Sequence, residues 1–194
     1  MPQAMRPPPR LRACRRAVVP PREAEIGMTR IFALPPWIDA GSQVLVLGSM
    51  PSARSLAEHC YYAHPRNRFW PIIAWLCGRE LPDAAQRREA LRQLGLAVSD
   101  IISSCERRTS ADHDIRQAEL ADIPALLCGH PHIRRVVTNG RTASDLYRRN
   151  FAALNCEHVP LPSTSAANAS CSLQRLTALY ATALCPGHAL TPCP

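Results

Sequence analysis

The chain has 194 residues, a formal net charge of +8 and a hydrophobic content of 46%. This length accommodates one well-packed α/β domain and is too short for two ordinary ones. No apolar run approaches the roughly 18 residues of a membrane-spanning helix. The N-terminus also lacks the apolar segment of a secretory signal, so we expect a cytoplasmic protein without a membrane partner. The positive excess favours a polyanionic partner without identifying one.

The composition argues against two kinds of chemistry. All 23 basic residues are arginines, so no internal lysine is present to form a Schiff base with a sugar aldehyde. The nine cysteines include no CxxC pair, so no zinc or iron–sulfur site is indicated. We therefore expect neither a metal nor another cofactor, and we interpret the cysteines as buried thiols rather than a disulfide framework.

Three regions follow one another along the chain. Residues 1–27 are rich in arginine and proline and show no periodicity, which predicts a disordered extension. Residues 28–185 carry the apolar patterning of a folded domain. Residues 186–194 contain proline-bounded turns and no core signal, which indicates a C-terminal tail.

Strand and helix patterns alternate through the domain. Apolar runs predict strands over 43–47, 96–101, 133–138 and 157–161. Helical spacing predicts helices over 84–94, 115–128, 142–151 and 172–184. The simplest architecture with this alternation is a three-layer α/β/α sandwich on a four-stranded, mainly parallel sheet.

Each predicted strand ends in polar residues. In chain order the residues at these strand ends are Gly48, Ser49 and, beside them, the apolar Met50, then Asp100, then Asn139, then Ser163, Thr164, Ser165 and, further on, Asn168. Because the carboxyl ends of parallel strands meet at one edge of the sheet, the four groups are expected to form a single site.

The segment YYAHPRNRFW, residues 61–70, suggests what that site binds. It combines aromatic faces, two arginines and an amide within ten residues. Such a mixture suits a flat, polar heterocycle attached to a phosphate chain, which is the chemistry of a nucleobase pocket.

The motifs GSMPS, YYAHPRNRFW and LPSTSAANA, in this order, resemble the uracil-DNA glycosylase superfamily, and within it the hypoxanthine-DNA (deoxyinosine) glycosylase branch. The resemblance covers about residues 32–184. It implies a four-stranded parallel sheet between helices and an enzyme that removes deaminated bases, hypoxanthine first, leaving an abasic site. The absence of lysine predicts that this enzyme is monofunctional. We expect a monomer acting on DNA that contains deaminated bases. A uracil- or xanthine-preferring glycosylase and a non-catalytic nucleic-acid-binding module of the same fold remain the alternatives.

The resemblance also assigns roles to residues. The superfamily's first motif usually offers an asparagine or aspartate that positions water, but here that position is Met50, which lacks a useful donor or acceptor. The hypoxanthine branch moves the essential amide to the position of Asn67, and it places an aromatic face for the extruded base at Tyr62. Gly48, Ser49, Met50 and Asn139 complete the expected base site.

Each assignment has a purely structural alternative. Asn67 precedes a predicted helix start and could serve as its N-cap, and Tyr62 could pack in the core. His64 is a candidate general base or a structural hydrogen-bonding group. Asn168 is a further candidate for the catalytic amide.

The expected phosphate contacts come from two segments. Arg66 and Arg68 flank Asn67 and are positioned to meet phosphate, or they form a solvated face. Ser163, Thr164 and Ser165 offer hydroxyl and loop N–H donors for phosphate, or they cap the last helix.

Overall fold

The computed structural model describes residues 29–185. The expected extension at 1–27 and the expected tail at 186–194 lie outside the described residues. Within the described part, no helix has the length and apolar character needed to cross a membrane.

The elements are, in chain order, β1 (Arg30–Phe32), β2 (Val44–Gly48), α1 (Ala53–Ala57), α2 (Phe69–Cys77), α3 (Ala84–Gln93), β3 (Leu96–Asp100), β4 (Ile102–Glu106), a short 3-10 turn (Asp112–Asp114), β5 (Arg116–Leu120), α4 (Ile123–Gly129), β6 (Arg135–Asn139), α5 (Arg141–Phe151), β7 (Glu157–Leu161) and α6 (Leu173–Leu184).

The central sheet has four parallel strands in the order β3-β2-β6-β7. These are the four strands predicted from the apolar runs, displaced by at most two residues at either end. The register aligns their carboxyl ends, since Gly48 pairs with Asp100 and Asn139 pairs with Leu161. The predicted parallel sheet is therefore confirmed.

Side chains of the buried strands alternate between two cores. Val44 and Val46 face a core shared with α2, α3 and α6. Leu45 and Leu47 face the opposite core, which contains residues of α4 and α5. Helices thus cover both faces of the sheet, as the three-layer prediction requires.

The sequence prediction misses a second, antiparallel sheet in the order β1-β4-β5. The helix predicted over 115–128 is wrong, because its first half forms β5 and only its second half forms α4. Asp122 caps α4 by accepting the Ala125 N–H at 2.9 Å, and Pro124 lies in the first turn of that helix. Proline suits a first turn but would break the middle of a longer helix.

Candidate active site

A cavity of about 670 Å³ opens at the carboxyl edge of the parallel sheet. All four strands reach it through their last residues or the loops that follow, as predicted from the strand ends. Its lining includes Gly48, Ser49, Met50, Tyr62, Asn67, Asp100, Asp112, Asn139, Arg141, Ser163, Thr164, Ser165 and Asn168.

Gly48 leaves room for the Asp100 carboxyl at the cavity wall. A Cβ atom on residue 48 would overlap Asp100 Oδ1 and would lie 3.3 Å from the Tyr62 hydroxyl oxygen. The carboxyl and the phenol therefore approach the same point from two different segments. Only glycine at position 48 permits both side chains to lie there.

Asp100 is 3% exposed, and its Oδ2 has no hydrogen-bond partner among residues 29–185. Burial raises the pKa of this carboxyl from 3.8 to about 7, with Arg107 opposing the rise and Asp112 adding to it. From the sequence, Asp100 is predicted only to be a polar strand end. The sequence feature that singles out Asp100 is that it is the one ionisable residue in the strand 96–100 and lies at its carboxyl end.

The two adjacent tyrosines have different surroundings. The Tyr61 hydroxyl donates to the Leu34 carbonyl at 2.9 Å inside the core. The Tyr62 ring packs against Phe69 with centroids 4.2 Å apart, and its buried hydroxyl has no partner within the described chain. Burial raises the pKa of Tyr62 well above its ordinary value, so the phenol stays neutral. The Tyr62 hydroxyl lies beside the Asn139 side chain and the Asp100 carboxyl, so Tyr62 is the member of the pair that belongs to the polar wall of the cavity.

Asn67 combines a local structural contact with an accessible amide. Its Oδ1 accepts the Phe69 N–H at 3.0 Å, at the first residue of α2, but the N-cap residue of that helix is Arg68 and not Asn67. Its Nδ2 has no acceptor among the described residues, and the residue lines the cavity. The contact with Phe69 fixes the side chain, and the free amide group can still bind a ligand or water.

Arg68 organises the loop after β7 instead of facing a phosphate. Its guanidinium donates to the carbonyl oxygens of Ser163, Thr164, Ser165, Asn168 and Cys171. These bonds occupy nearly all of its N–H groups. The expectation that Arg68 contacts phosphate is therefore corrected to a role in loop positioning.

Asn139 and Thr164 hold each other in the cavity wall. Asn139 Oδ1 accepts the Thr164 N–H, and Asn139 Nδ2 donates to Thr164 Oγ1, each at 2.9 Å. Thr164 is 1% exposed, which places its hydroxyl out of reach of a DNA phosphate and corrects that expectation. The paired bonds fix the orientation of the Asn139 amide and leave one hydrogen of Nδ2 for another acceptor.

The rest of the loop after β7 is held by its own hydrogen bonds. Ser163 Oγ accepts the Ser165 N–H at 3.1 Å, and Ser165 Oγ accepts the Ala167 N–H at 3.3 Å. The Asn168 amide donates to the Ser163 carbonyl at 2.8 Å and accepts from Ser170 at 2.7 Å. Both ends of the Asn168 amide are engaged, so Asn168 is a weaker candidate than Asn67 for the catalytic amide.

His64 and Arg66 lie outside this cavity lining. His64 Nδ1 accepts the Arg66 N–H at 3.2 Å, which is a local turn contact and supports the structural alternative for His64. His64 borders a smaller neighbouring groove instead. Arg66 is exposed, and within the described chain its guanidinium has no partner.

The first-motif residues after Gly48 contribute differently. Ser49 donates to Asp112 Oδ1 at 2.7 Å and so ties the 3-10 turn to the rim of the cavity. Met50 is 8% exposed and packs into the core that contains Leu45 and Leu47. The exposed Arg141 also lines the cavity, as expected for the polar end of β6, whereas Asp112 was not predicted because it lies in no recognised motif.

The fold belongs to a known class. Residues 35–182 match the family model described as the uracil DNA glycosylase superfamily. The chain belongs to this superfamily.

Named relatives and a solved structure agree with the assignment. The chain is 31% identical over 136 residues to a protein of Methanosarcina barkeri (strain Fusaro / DSM 804) named hypoxanthine DNA glycosylase, covering 69% of this chain and 85% of that protein. It is also 31% identical over 143 residues to a protein of the same name from Methanosarcina acetivorans, covering 73% and 90% of the two chains. A solution NMR structure of a candidate uracil DNA glycosylase from Methanosarcina acetivorans superposes with a TM-score of 0.70 at 28% identity, covering 79% of this chain and 96% of that one.

Proposed function

We propose that this protein is a DNA glycosylase that hydrolyses the N-glycosidic bond of deaminated bases, hypoxanthine first, and leaves an abasic site. The observation that carries the proposal is the cavity of about 670 Å³ in which Tyr62, Asn67 and Asn139 meet at the carboxyl edge of the sheet. This volume lies within the range of about 300–1,000 Å³ typical of small-molecule sites. The names of the two relatives support hypoxanthine as the base.

Base capture begins with extrusion of the nucleotide from the stack, which costs about a few kcal/mol and least for a mispaired base. Tyr62 offers an aromatic face and is backed by Phe69, with ring centroids 4.2 Å apart. The base stacks on that rigid pair at a small loss of side-chain entropy.

Asn139 supplies discrimination against adenine. Thr164 holds its amide in one orientation, so the remaining Nδ2 hydrogen stays a donor and the amide does not reverse. This donor matches the six-position oxygen of hypoxanthine, whereas adenine presents an amino group there. Since two donors cannot satisfy each other, the intact base binds less well.

Asn67 positions the attacking water. The bond between the base nitrogen and C1′ breaks with its electron pair leaving on the base, and the sugar passes through an oxocarbenium-like state. Water then adds to C1′ and releases its proton to solvent. An amide is a weak base, so Asn67 acts by orientation, with its Oδ1 anchored to the Phe69 N–H at 3.0 Å.

DNA phosphates meet the rim of the cavity. Arg141 is an exposed cation in the cavity lining, and Arg66 is an exposed cation next to the lining residue Asn67. The loop after β7 adds Ser163 and Ser165. Such contacts orient the strand and contribute affinity independent of sequence. One chain carries every candidate residue, so a monomer acting on DNA has a complete site.

The test is excision from matched duplexes that carry hypoxanthine, uracil, xanthine or an undamaged base, detected as alkali-labile abasic sites. Hypoxanthine is expected to be excised fastest, and Asn67→Ala serves as the control that removes the catalytic amide. Borohydride is expected to trap no covalent adduct, because the chain has no lysine. Faster excision of uracil or xanthine would contradict the substrate assignment, and binding without excision would indicate a non-catalytic module.

A further inference from the structure

Tyr62 has an unusual backbone conformation that the preceding mechanism does not explain. Its φ is 54°, in the left-handed region that residues other than glycine rarely adopt. Within residues 29–185, the other non-glycine residues with positive φ are His59 and Gln117, and of the three Tyr62 is the one that lines the cavity. Such conformations cost free energy and persist where the surrounding structure holds them. Contacts on both sides of Tyr62 supply this restraint.

The first contact is a hydrogen bond from Trp70 to the peptide group that precedes the Tyr62 Cα atom. The indole Nε1 of Trp70 donates to the Tyr61 carbonyl oxygen at 2.7 Å. Trp70 is buried at the second position of α2. Its ring packs against Trp37 and Phe69, with centroids 6.2 Å and 5.0 Å away. The core therefore fixes the position of the donor.

The second contact holds the peptide group that follows the Tyr62 Cα atom. The Ala63 N–H donates to Ser55 Oγ at 3.2 Å. Ser55 is buried on α1, and its Oγ lies 3.0 Å from Ser52 Oγ of the GSMPS motif. Since peptide groups are planar, the orientations of the two groups that flank a Cα atom define its φ and ψ. The two hydrogen bonds therefore fix both backbone angles of Tyr62.

The fixed angles set the direction of the Tyr62 side chain. The Cβ atom projects differently from the same two peptide groups when φ is negative, so relaxation to an ordinary conformation would turn the ring. In its present position the ring packs against Phe69, with centroids 4.2 Å apart, and the residue lines the cavity. The aromatic face available to a base therefore depends on the left-handed conformation.

We propose that Trp70 and Ser55 are positioning residues for base capture, which hold the Tyr62 backbone in the conformation that presents its ring to the cavity. The proposal rests on the proposed glycosylase function. An extruded base then meets an aromatic face that is already oriented, so binding does not have to order it. Trp70 lies outside the lining of the cavity and acts through Tyr62.

The backbone restraint is tested by thermal unfolding of full-length Tyr62→Gly and Tyr62→Ala. Both variants lose the ring, but glycine adopts positive φ without steric cost and alanine does not. Tyr62→Gly should therefore have the higher melting temperature. Adding Trp70→Phe to each variant should reduce this difference, because a released backbone returns to negative φ. A melting temperature of Tyr62→Ala that equals or exceeds that of Tyr62→Gly would overturn the proposal.

The effect of Trp70 on the reaction is tested in single-turnover excision of hypoxanthine. Trp70→Phe keeps an aromatic ring in the core and removes the indole N–H. The Cys60 thiol lies 3.6 Å from the same carbonyl oxygen, but it is a weak donor and does not replace the indole. Since a misplacement of about 1 Å can cost on the order of a hundredfold in rate, excision should fall by about tenfold to a hundredfold. Affinity for undamaged duplex should not change.

Two comparisons distinguish positioning from a general loss of stability. Trp75→Phe makes the same chemical change on the same helix, at an exposed side chain outside the cavity lining, and it should excise at the wild-type rate. Trp70→Phe added to Tyr62→Ala should cause no further loss of excision, because the ring that Trp70 orients is already gone. A wild-type rate for Trp70→Phe, or the same fold-loss with and without the Tyr62 ring, would overturn the proposal.

Ser55→Ala tests the second contact, and it takes the place of Trp70→Phe if that variant does not fold. It removes the acceptor of the Ala63 N–H, so it should also lower excision and have no further effect once Tyr62 is replaced by alanine. Excision by Ser55→Ala at the wild-type rate would overturn the role of Ser55.

Failure of the proposed function would give a different result from failure of the positioning. If Tyr62→Gly is more stable than Tyr62→Ala and Trp70→Phe reduces the difference, but no abasic sites form, the backbone assignment stands and the proposed activity is wrong. If excision occurs and Trp70→Phe changes neither its rate nor the difference between glycine and alanine, only the positioning fails.

Discussion

Replacing Asp100 with asparagine should change how the stability of the protein depends on pH, whatever the protein's substrate. Burial raises the pKa of this carboxyl from 3.8 in its ordinary state to about 7 in the fold. The folded chain therefore binds the proton more tightly than the unfolded chain. The stabilisation that the bound proton gives is complete below the pKa of the unfolded chain, 3.8. It decreases as the pH rises toward the folded pKa of about 7, and it is absent above that pH.

The size of the effect follows from the shift. At about 1.36 kcal/mol for each pKa unit, ionisation of Asp100 lowers the free energy of unfolding by about 4 kcal/mol above pH 7. Asparagine does not ionise, so the variant escapes this loss. Its own buried amide costs about 1–3 kcal/mol if it stays unpaired, but that cost is the same at every pH.

The measurement is chemical or thermal unfolding of the wild-type and variant proteins between about pH 4 and about pH 8. Relative to the wild type, Asp100→Asn should gain about 4 kcal/mol across this range, or roughly 8–16 °C in Tm for a domain of this size. Glu89→Gln should show no such gain above about pH 5, because a hydrogen bond from Arg92 holds the pKa of Glu89 below its ordinary value. A constant difference between Asp100→Asn and the wild type would mean that Asp100 is ionised and stabilised in the fold, which would refute the reasoning.

Three further predictions concern the site and its loops. Asn67→Ala should lower hypoxanthine excision by about a hundredfold or more. Asn67→Asp keeps the oxygen that accepts the Phe69 N–H, so it should restore the melting temperature without restoring the rate; equal recovery of both would favour a purely structural role. Arg66→Met should reduce the salt dependence of DNA binding by about one phosphate contact. Arg68→Met should lower thermal stability and leave the salt dependence unchanged. If Arg68→Met instead changed the salt dependence and Arg66→Met did not, Arg68 would be the phosphate ligand. Gly48→Ala should destabilise the protein because the new methyl group overlaps Asp100 Oδ1, and Asp100→Ala in the same chain should recover part of that loss; additive effects would contradict the overlap.

The fold was predictable where hydrophobic runs dominate. The four parallel strands and the helices over 84–93, 141–151 and 173–184 follow from apolar runs or periodicity, because each places at least one apolar side chain in a core. The strand β5 was not predictable from apolar periodicity, because four of its five residues are exposed. Its backbone instead pairs with β4. Its apolar spacing continues into α4, and only Asp122 and Pro124 mark the boundary.

The position of the site in the fold was predictable from the sequence, but several of its side-chain contacts were not. Strand ends located the cavity, and the motif around Asn67 located its amide. The occupation of Arg68 by loop carbonyls could not be predicted, because its partners lie about a hundred residues away in sequence. A residue type indicates which bonds it can make, but only the fold decides whether a backbone carbonyl or a phosphate takes them.

Gly48 connects the first motif to the buried carboxyl. Its φ is not positive, so the chain does not need glycine there for backbone conformation. It needs glycine for space, because any side chain at that position would collide with Asp100 and crowd Tyr62. Met50 has no useful donor or acceptor, and the polar groups that lie closest to the glycine of the first motif are the Asp100 carboxyl and the Tyr62 hydroxyl. The glycine and the aspartate therefore pack as one unit, and a side chain at position 48 requires the Asp100 carboxyl to move.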